Sequence, residues 1–287
     1  MAKKKPIKYF VVDAFTESAF KGNPAAVCFL GEDDERDDAW LQSVAVEFKT
    51  PITGFLTPIT GSASGFRLRW FSTTTEVDIC GHVTLASAHT LFSNGLVDTE
   101  TIEFSTRAGV ITAKRVPDND GEAKKSFLIE LRLPMVQSYE YSSNDLSMLS
   151  KALDGTTIVD VKATSIDYII VELPSMESVI KLQPRTEDIF ECPGKMVVVT
   201  AAAPAGSDYD FMSRCFAPKI GVEEPPVCGS AHCALAHYWS LKLNKSDFVA
   251  FAASRRRGKV MMSLDMEKGR VLLRGRALTV MEGLLVC

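Results

Sequence analysis

The chain has 287 residues, of which 46% are hydrophobic and 24% charged, and its formal net charge at pH 7 is −4. A chain of this length and composition fits two modest domains with ordinary cores and excludes a disordered protein. The acidic balance argues against a nucleic-acid partner, because phosphate binding needs clustered lysine and arginine.

Three features of the sequence concern its compartment. The first residues lead into a strand-like run without an apolar signal region, so we expect a cytoplasmic protein. No apolar run approaches the roughly 20 residues of a membrane-spanning helix, so we expect no membrane partner. Seven cysteines at irregular spacings fit reduced thiols better than a disulfide framework.

The first half of the sequence predicts short strands, rich in β-branched and aromatic residues and bounded by turn-forming ones. It also predicts one surface helix at residues 38–48, where Leu41, Val44 and Phe48 recur at helical spacing. The predicted strands are residues 7–15, 25–30, 66–71, 102–104, 110–116 and 127–133.

The second half repeats this pattern. Pro134 ends a strand-like run, so we predict an N-terminal lobe of residues 1–133 and a C-terminal lobe of residues 134–287, whose last strand could return to the first lobe. The predicted strands are residues 158–161, 168–172, 196–200, 211–216, 260–264, 271–273 and 278–281.

One phrase occurs once in each half. Cys-Gly-x4-Ala-x-Ala-His begins at Cys80 and again at Cys228, which is 148 residues further along. All four histidines lie in these two segments. The glycine and the small residues after it predict a loop that leads into a helix buried on all sides. The repeat therefore indicates a duplicated domain with one such helix in each half.

The position of each cysteine suggests acid/base chemistry. A thiol at a helix N-terminus has a lowered pKa, because it lies at the positive end of the helix dipole. The unpaired N–H groups of the first turn can bind a carboxylate. If two such helix starts face each other, one thiolate removes the α-proton of a bound amino or hydroxy acid while the opposite thiol delivers one. The N–H dipoles stabilise the enediolate-like intermediate, so no cofactor is predicted.

Plainer interpretations compete with this one. A cysteine among small residues is most often a buried hydrophobe. A zinc site is suggested by the cluster of Cys228, His232, Cys233 and His237. Helical geometry disfavours zinc, because Cys233 is displaced by roughly 140° from the face that Cys228 shares with His232. We interpret His89 and His237 as packed or capping residues, and we assign to the buried class Cys28, Cys192, Cys215, Cys233 and Cys287.

Segments along essentially the whole chain resemble the phenazine-biosynthesis PhzF-like superfamily. They are residues 11–15, 22–27, 69–71, 76–82, 213–218 and 229–232. The resemblance implies an α+β protein with the diaminopimelate-epimerase fold. In that fold two pseudo-symmetric β-barrel-like lobes each surround a central helix, and the active site lies in the cleft between the lobes. Such relatives are commonly homodimers, so a homodimer is expected.

The chain departs from the PhzF pattern at two carboxylates. PhzF-type isomerases usually carry Ser-Glu-Thr-Ala-Phe with a catalytic glutamate, and residues 51–55 here place Ile52 at that position. They usually also carry Glu-Asp-Pro-Val-Thr-Gly-Ser-Ala-His, and residues 224–232 here replace the aspartate with Pro225 and the threonine with Cys228. Glu47 is five residues out of register and is interpreted as a charge on the helix surface.

Cys80 and Cys228 fall at positions that resemble the two catalytic cysteines of diaminopimelate epimerase and proline racemase. The resemblance therefore implies an isomerase without a cofactor or metal, most similar to a racemase or epimerase of a small aliphatic amino acid such as isoleucine. The alternatives are a PhzF-type isomerase of an unsaturated cyclic acid and an inactive family member that acts as a binding or scaffold protein.

The substrate is expected to be a small carboxylic acid held by backbone donors. These donors are predicted at Gly81, His82, Gly229 and Ser230, and Asn23 in a predicted Gly-Asn-Pro loop is expected to line the cleft. His82 has two further interpretations, since its ring can also poise a thiolate or cap the helix.

Overall fold

The computed structural model describes residues 5–34, 36–118 and 127–286. They form two compact units, the first within Met1–Arg132 and Arg274–Cys287 and the second within Leu133–Leu273. The chain therefore passes into the second unit after Arg132 and back into the first after Leu273. Helix accounts for 22% and strand for 41%, so the predicted α+β class is confirmed.

The first unit is built from strands with two helices between them, and its last strand comes from the end of the chain. Its elements are β1 (Ile7–Ala14), β2 (Asn23–Phe29), α1 (Asp38–Phe48), β3 (Ile52–Pro58), β4 (Gly65–Phe71), β5 (Glu76–Val77), α2 (Gly81–Ser93), β6 (Thr101–Thr106), β7 (Gly109–Pro117), β8 (Phe127–Pro134) and β17 (Ala277–Leu285). β17 pairs antiparallel with β1 along its full length.

The second unit has the same plan with more short helices. Its elements are β9 (Ser138–Glu140), α3 (Ser147–Ala152), β10 (Asp160–Thr164), β11 (Tyr168–Glu172), α4 (Met176–Lys181), α5 (Thr186–Glu191), β12 (Met196–Ala202), β13 (Phe211–Phe216), a 3₁₀ turn (Pro218–Ile220), α6 (Gly229–Leu243), β14 (Asp247–Ala252), β15 (Gly258–Asp265) and β16 (Arg270–Gly275).

The two units share one order of strand pairing. In the first, the pairs β1–β2, β2–β3, β3–β4, β4–β6 and β6–β7 are antiparallel, parallel, antiparallel, parallel and antiparallel in turn. In the second, the pairs β10–β11, β11–β12, β12–β13, β13–β14 and β14–β15 follow the same order. The internal duplication that the repeated phrase predicts is thus confirmed at the level of topology.

Each unit contains one helix that is buried on nearly all sides, as predicted. Ten of the 13 residues of α2 are buried, and so are ten of the 15 residues of α6. α2 packs against β1, β2, β3, β7 and β17. Close packing depends on small residues, because a Cβ at Gly54 in β3 would lie 2.6 Å from Val83 Cγ1 in α2. Within the described ranges, no helix is long and apolar enough to cross a membrane.

Candidate active site

α2 begins directly after Cys80, whose extended backbone makes it the N-cap residue. The first backbone hydrogen bond of the helix runs from the Thr84 N–H to the Cys80 carbonyl at 3.1 Å. The N–H groups of residues 81–83 therefore precede the helical bonding pattern. Cys80 is buried, and its Sγ lies 3.3 Å from Nδ1 of His82. The predicted helix start at this phrase is confirmed.

α6 begins in the same way after Cys228. The His232 N–H donates to the Cys228 carbonyl at 3.1 Å, and Sγ of Cys228 lies 3.3 Å from the Ser230 hydroxyl. The N–H groups of Ser230 and Ala231 also hydrogen-bond to this sulfur. Cys228 is more accessible than Cys80, since it is only partly buried.

Two side-chain contacts recur at the same offsets from each cysteine. The residue two positions later contacts the sulfur at 3.3 Å in both units, through His82 in the first and Ser230 in the second. The residue four positions later donates to the cysteine carbonyl at 2.7 Å, through Thr84 and His232. The two helix starts thus share a geometry that different residue types supply.

A repeated ion pair holds the segment before each cysteine. Glu76 and Glu224 each stand four residues before a cysteine, and each accepts a bond of 2.7 Å from an arginine Nε, in Arg69 and Arg214 respectively. Each guanidinium also lies 5.0 Å from the ring of the phenylalanine two residues after it. This repeated ion pair was not predicted, although the sequence carries a signal for it, because a glutamate stands four residues before the cysteine in both segments.

The Cys228 thiol is acidic. Its pKa is lowered from 9.0 to about 6, chiefly by a hydrogen bond from the Cys215 thiol and further by the hydroxyl and N–H of Ser230 and the N–H of Ala231, while burial opposes the shift. The pKa of Cys215 is raised well above its usual value, first by this hydrogen bond and then by burial. Of the two thiols, Cys228 therefore loses its proton more readily than Cys215.

The interpretation of Cys215 as a buried residue is confirmed, since its side chain is 3% exposed. Its effect on the pKa of Cys228 was missed. Tyr168 was likewise missed, and its hydroxyl lies 3.1 Å from that of Ser230. Burial and the charge of Cys228 raise the pKa of this tyrosine.

All four histidines are held neutral, because burial lowers the pKa of each, to about 3 for His82 and to about 4 for His232. Nε2 of His82 is buried, and within the described residues it has no hydrogen-bond partner. The interpretation of His89 and His237 as packed residues is confirmed. His89 stacks on Phe127 at 5.9 Å, and His237 Nδ1 accepts the Ser138 N–H at 3.1 Å.

The residues of the suggested zinc cluster make other contacts. His232 Nδ1 donates to the Cys228 carbonyl, and His237 is engaged by Ser138. Within residues 5–34, 36–118 and 127–286, no three His, Cys, Asp or Glu side chains are arranged to hold a metal ion. Cys28, Cys192 and Cys233 are buried, and burial raises the pKa of each thiol, whereas Cys287 lies outside the described residues.

The remaining predicted residues lie at the ends of elements. Gly81 and Gly229 are the first residues of α2 and α6. Asn23 begins β2 and is 3% exposed, so it belongs to a strand and not to the predicted loop. Ile52 begins β3 and is half-buried, which places an apolar side chain at this strand start. Glu47 is exposed on α1, as expected.

Comparison with known proteins identifies the relatives of this chain. A family model described as phenazine biosynthesis-like protein matches residues 12–283. An uncharacterized isomerase of Halalkalibacterium halodurans is 41% identical over 278 residues, which cover 95% of this chain and 96% of that protein. A phenazine biosynthesis-like domain-containing protein of Homo sapiens is 37% identical over 299 residues, covering 98% of this chain and 99% of that protein.

Solved structures share the fold. A PhzF-family protein of Enterococcus faecalis superposes with a TM-score of 0.86 at 32% identity and covers 99% of this chain and 100% of its own. A hydroxyproline epimerase from Agrobacterium vitis has a TM-score of 0.63 at 11% identity, with 99% of this chain and 94% of its own covered. The second likeness concerns the fold alone.

Proposed function

We propose that this chain, which belongs to the phenazine biosynthesis-like protein family, is an isomerase that inverts the α-carbon of an amino acid, with Cys80 and Cys228 as its acid and base. The observation that carries the proposal is the pair of helix starts, each with a cysteine at its N-cap and a side chain at 3.3 Å from the sulfur. The name isomerase on the Halalkalibacterium halodurans relative supports the reaction class.

The proposed reaction is a proton transfer on each face of the α-carbon. The Cys228 thiolate takes the α-proton, so that a C–H bond breaks and an S–H bond forms. The Cys80 thiol gives its proton to the opposite face, so that its S–H bond breaks and a new C–H bond forms. The carbon centre is inverted with no net oxidation. Thiol and thiolate have then exchanged places, and the reverse reaction begins from Cys80.

The substrate carboxylate is proposed to bind at the first turns of the two helices. The N–H groups of Gly81 and His82 precede the bonding pattern of α2, and a helix N-terminus favours an anion. Gly229 and Ser230 are the corresponding donors of α6, where the Ser230 N–H also serves the Cys228 sulfur. Fixed N–H dipoles stabilise the charge that develops when the α-proton leaves, so no cofactor is required. Asn23 is proposed to contact the substrate.

Exchange of the α-proton tests the proposal directly. The protein is incubated with aliphatic L-amino acids in deuterated water, and loss of the α-proton is followed by NMR, with isoleucine and its epimer as the first pair. Because acid/base catalysis contributes about 10²–10⁴-fold, Cys80→Ser and Cys228→Ser should each slow exchange at least about 100-fold. Cys192→Ser is the matched control, since Cys192 packs in the hydrophobic core of the second unit.

Three outcomes contradict the racemase. Cysteine variants that exchange as fast as the parent would remove Cys80 and Cys228 from the reaction. A parent that exchanges no amino acid but shifts a hydrogen within an unsaturated cyclic acid would be a PhzF-type isomerase. A parent that does neither, and whose cysteines titrate as ordinary thiols, would be a binding protein.

A further inference from the structure

Alternate residues of β13 face α6 and bring a second thiol to the Cys228 sulfur. Phe211 stacks on the His232 ring with centroids 6.5 Å apart, and the Ser213 hydroxyl lies 3.4 Å from His232 Nε2. Side chains on one face of a strand recur at every second residue, so Cys215 follows Phe211 and Ser213 on this face. This alternation places the Cys215 thiol at the start of the helix, on the side of the Cys228 sulfur, and its presence there lowers the pKa of Cys228.

The other groups near this sulfur are neutral. The hydroxyl of Ser230 and the N–H groups of Ser230 and Ala231 donate to it. Burial and the charge of Cys228 raise the pKa of both Tyr168 and Cys233, so each keeps its proton at neutral pH. The charge on the sulfur is thus held by hydrogen bonds.

The charged groups that pack near Cys215 form a pair of their own. Glu224 raises the pKa of Cys215 further, and this carboxylate accepts two hydrogen bonds from Arg214. Burial keeps His232 neutral, and its Nδ1–H is donated to the Cys228 carbonyl. Of these neighbours, Cys215 is the residue of β13 whose thiol faces the Cys228 sulfur.

The first unit carries a different residue at the corresponding place. Trp70 stands between Arg69 and Phe71 as Cys215 stands between an arginine and a phenylalanine, and both trios make the same ring contact at 5.0 Å. Trp70 is 1% exposed, and within the described residues its indole N–H has no hydrogen-bond partner, so it does not donate to a cysteine sulfur. The two units therefore differ at this strand position, which holds a tryptophan in the first unit and a cysteine in the second.

We propose that Cys215 is a positioning residue whose thiol hydrogen bond holds the Cys228 sulfur in its anionic form, which makes Cys228 the base of the resting protein. The role of Cys228 as a base rests on the proposed function. The hydrogen bond and its effect on the charge of the sulfur do not, because they require no substrate.

The pH dependence of alkylation measures this effect. Iodoacetamide reacts with the thiolate, and mass spectrometry of the Cys228 peptide gives the rate at each pH between 5 and 9.5. The parent should show a midpoint near pH 6. A hydrogen bond to a charged group stabilises it enough that Cys215→Ala should raise the midpoint by about one to two pH units. Alkylation at pH 6 should then slow by about fivefold to fiftyfold.

Three variants complete the test. Cys215→Val removes the donor and fills the site, so its midpoint should rise as in Cys215→Ala. Cys215→Ser keeps a hydroxyl donor and should stay within about half a unit of the parent. Cys233→Ala removes a buried thiol that donates no hydrogen bond to Cys228, and it should leave the midpoint in place. Urea unfolding of each variant establishes that it is folded.

The proposal is overturned by a parent midpoint in the ordinary thiol range of about 8.5, a result that needs no variant. It is also overturned by a folded Cys215→Ala or Cys215→Val with an unchanged midpoint, or by Cys233→Ala shifting as far. If Cys215→Ala shifts the midpoint but the protein exchanges no amino acid, the racemase proposal is contradicted and the role of Cys215 is supported. If the protein exchanges an amino acid but Cys215→Ala leaves the midpoint unchanged, the racemase is supported and the role of Cys215 is contradicted.

Discussion

The carbonyl oxygen of each N-cap cysteine accepts two hydrogen bonds, one from the backbone and one from a side chain. The side-chain donor is Thr84 for Cys80 and His232 for Cys228, at 2.7 Å in both cases. Such a bond restrains the orientation of the peptide plane that follows the cysteine. A hydroxyl suffices for this in the first unit, whereas the imidazole of the second also engages Ser213 on β13.

His232→Leu should destabilise the protein more than Thr84→Val. In both variants the cysteine carbonyl keeps its backbone donor, so each loses one side-chain bond worth about 1 kcal/mol. The histidine variant also leaves the buried Ser213 hydroxyl without its His232 partner, which adds about 1–3 kcal/mol. Free energies of urea unfolding measure the difference. Equal losses in the two variants would show that the contact with Ser213 contributes nothing.

At the scale of elements, α2 and β3 approach each other closely because Gly54 lacks a side chain. An ideal Cβ at this position would lie 2.6 Å from Val83 Cγ1 and 3.5 Å from the Ser87 hydroxyl. Val83 is completely buried, so its methyl group cannot swing into solvent. Contact at this distance requires α2 or β3 to shift, and the start of α2 carries Cys80.

Gly54→Ala should therefore cost about 1–3 kcal/mol of unfolding free energy through overpacking. Val83→Ala alone should cost about 2 kcal/mol through lost burial and a cavity. In the double variant the new methyl occupies space that Val83 has vacated, so the loss should fall below the sum of the single losses by about 0.5–3 kcal/mol. Chemical unfolding of all three variants tests this.

Gly31→Ala is the matched control for this cycle, since a Cβ there meets nothing within 4 Å. Its effect should stay within about 0.5 kcal/mol. Strictly additive losses in the double variant would contradict close packing between Gly54 and Val83.

Local patterns predicted most elements because their residues repeat at the period of the element. α1 begins and ends at the predicted residues, since its apolar residues recur at helical spacing and Asp37 caps the Trp40 N–H. β3 was missed because Pro51 before the strand, Gly54 within it and Pro58 at its end interrupt a strand-like composition. The three short helices of the second unit have only six residues each, too few for a periodic signal.

The candidate site was predicted in part for a related reason. The repeated phrase placed both cysteines at helix starts, because a helix start is encoded by residues next to one another. Cys215 and Tyr168 reach the Cys228 sulfur or its neighbour from other strands, 13 and 60 residues away in the sequence. No local pattern encodes such contacts, and only the pairing of the strands brings them together.

At the scale of the whole molecule, duplication has kept the framework and changed the chemistry around it. Both units keep the pairing order, the buried helix and the ion pair before the cysteine. The two units differ at positions that contact the cysteines, where His82 corresponds to Ser230 and Thr84 corresponds to His232. The thiols of Cys80 and Cys228 therefore have different neighbours, although the two units share the same strand pairing and the same buried helix.

The four histidines make the stability of the whole molecule sensitive to mild acid. Burial lowers the pKa of every one of them, so the folded chain binds fewer protons than the unfolded chain below about pH 6.5. The contribution of the histidines is therefore complete above this pH and declines as the pH falls toward 4. Each histidine contributes a slope approaching about 1.4 kcal/mol per pH unit. Cys228 also makes the unfolding free energy rise with pH, but mainly above about pH 6, because its thiol ionises at a lower pH in the folded protein than in the unfolded chain.

Urea unfolding at pH 6.5, 5.8 and 5.0 covers the range in which the four histidines give most of the change, because Cys228 contributes mainly at its upper end and carboxylates titrate lower. The unfolding free energy should fall steadily across this range. His89→Phe should reduce the slope by the share of one histidine, because the variant keeps an aromatic ring against Phe127 and cannot bind the proton when unfolded. A flat profile between pH 6.5 and 5.0, or an unchanged slope in His89→Phe, would mean that the histidines are protonated as readily in the folded protein as in the unfolded chain.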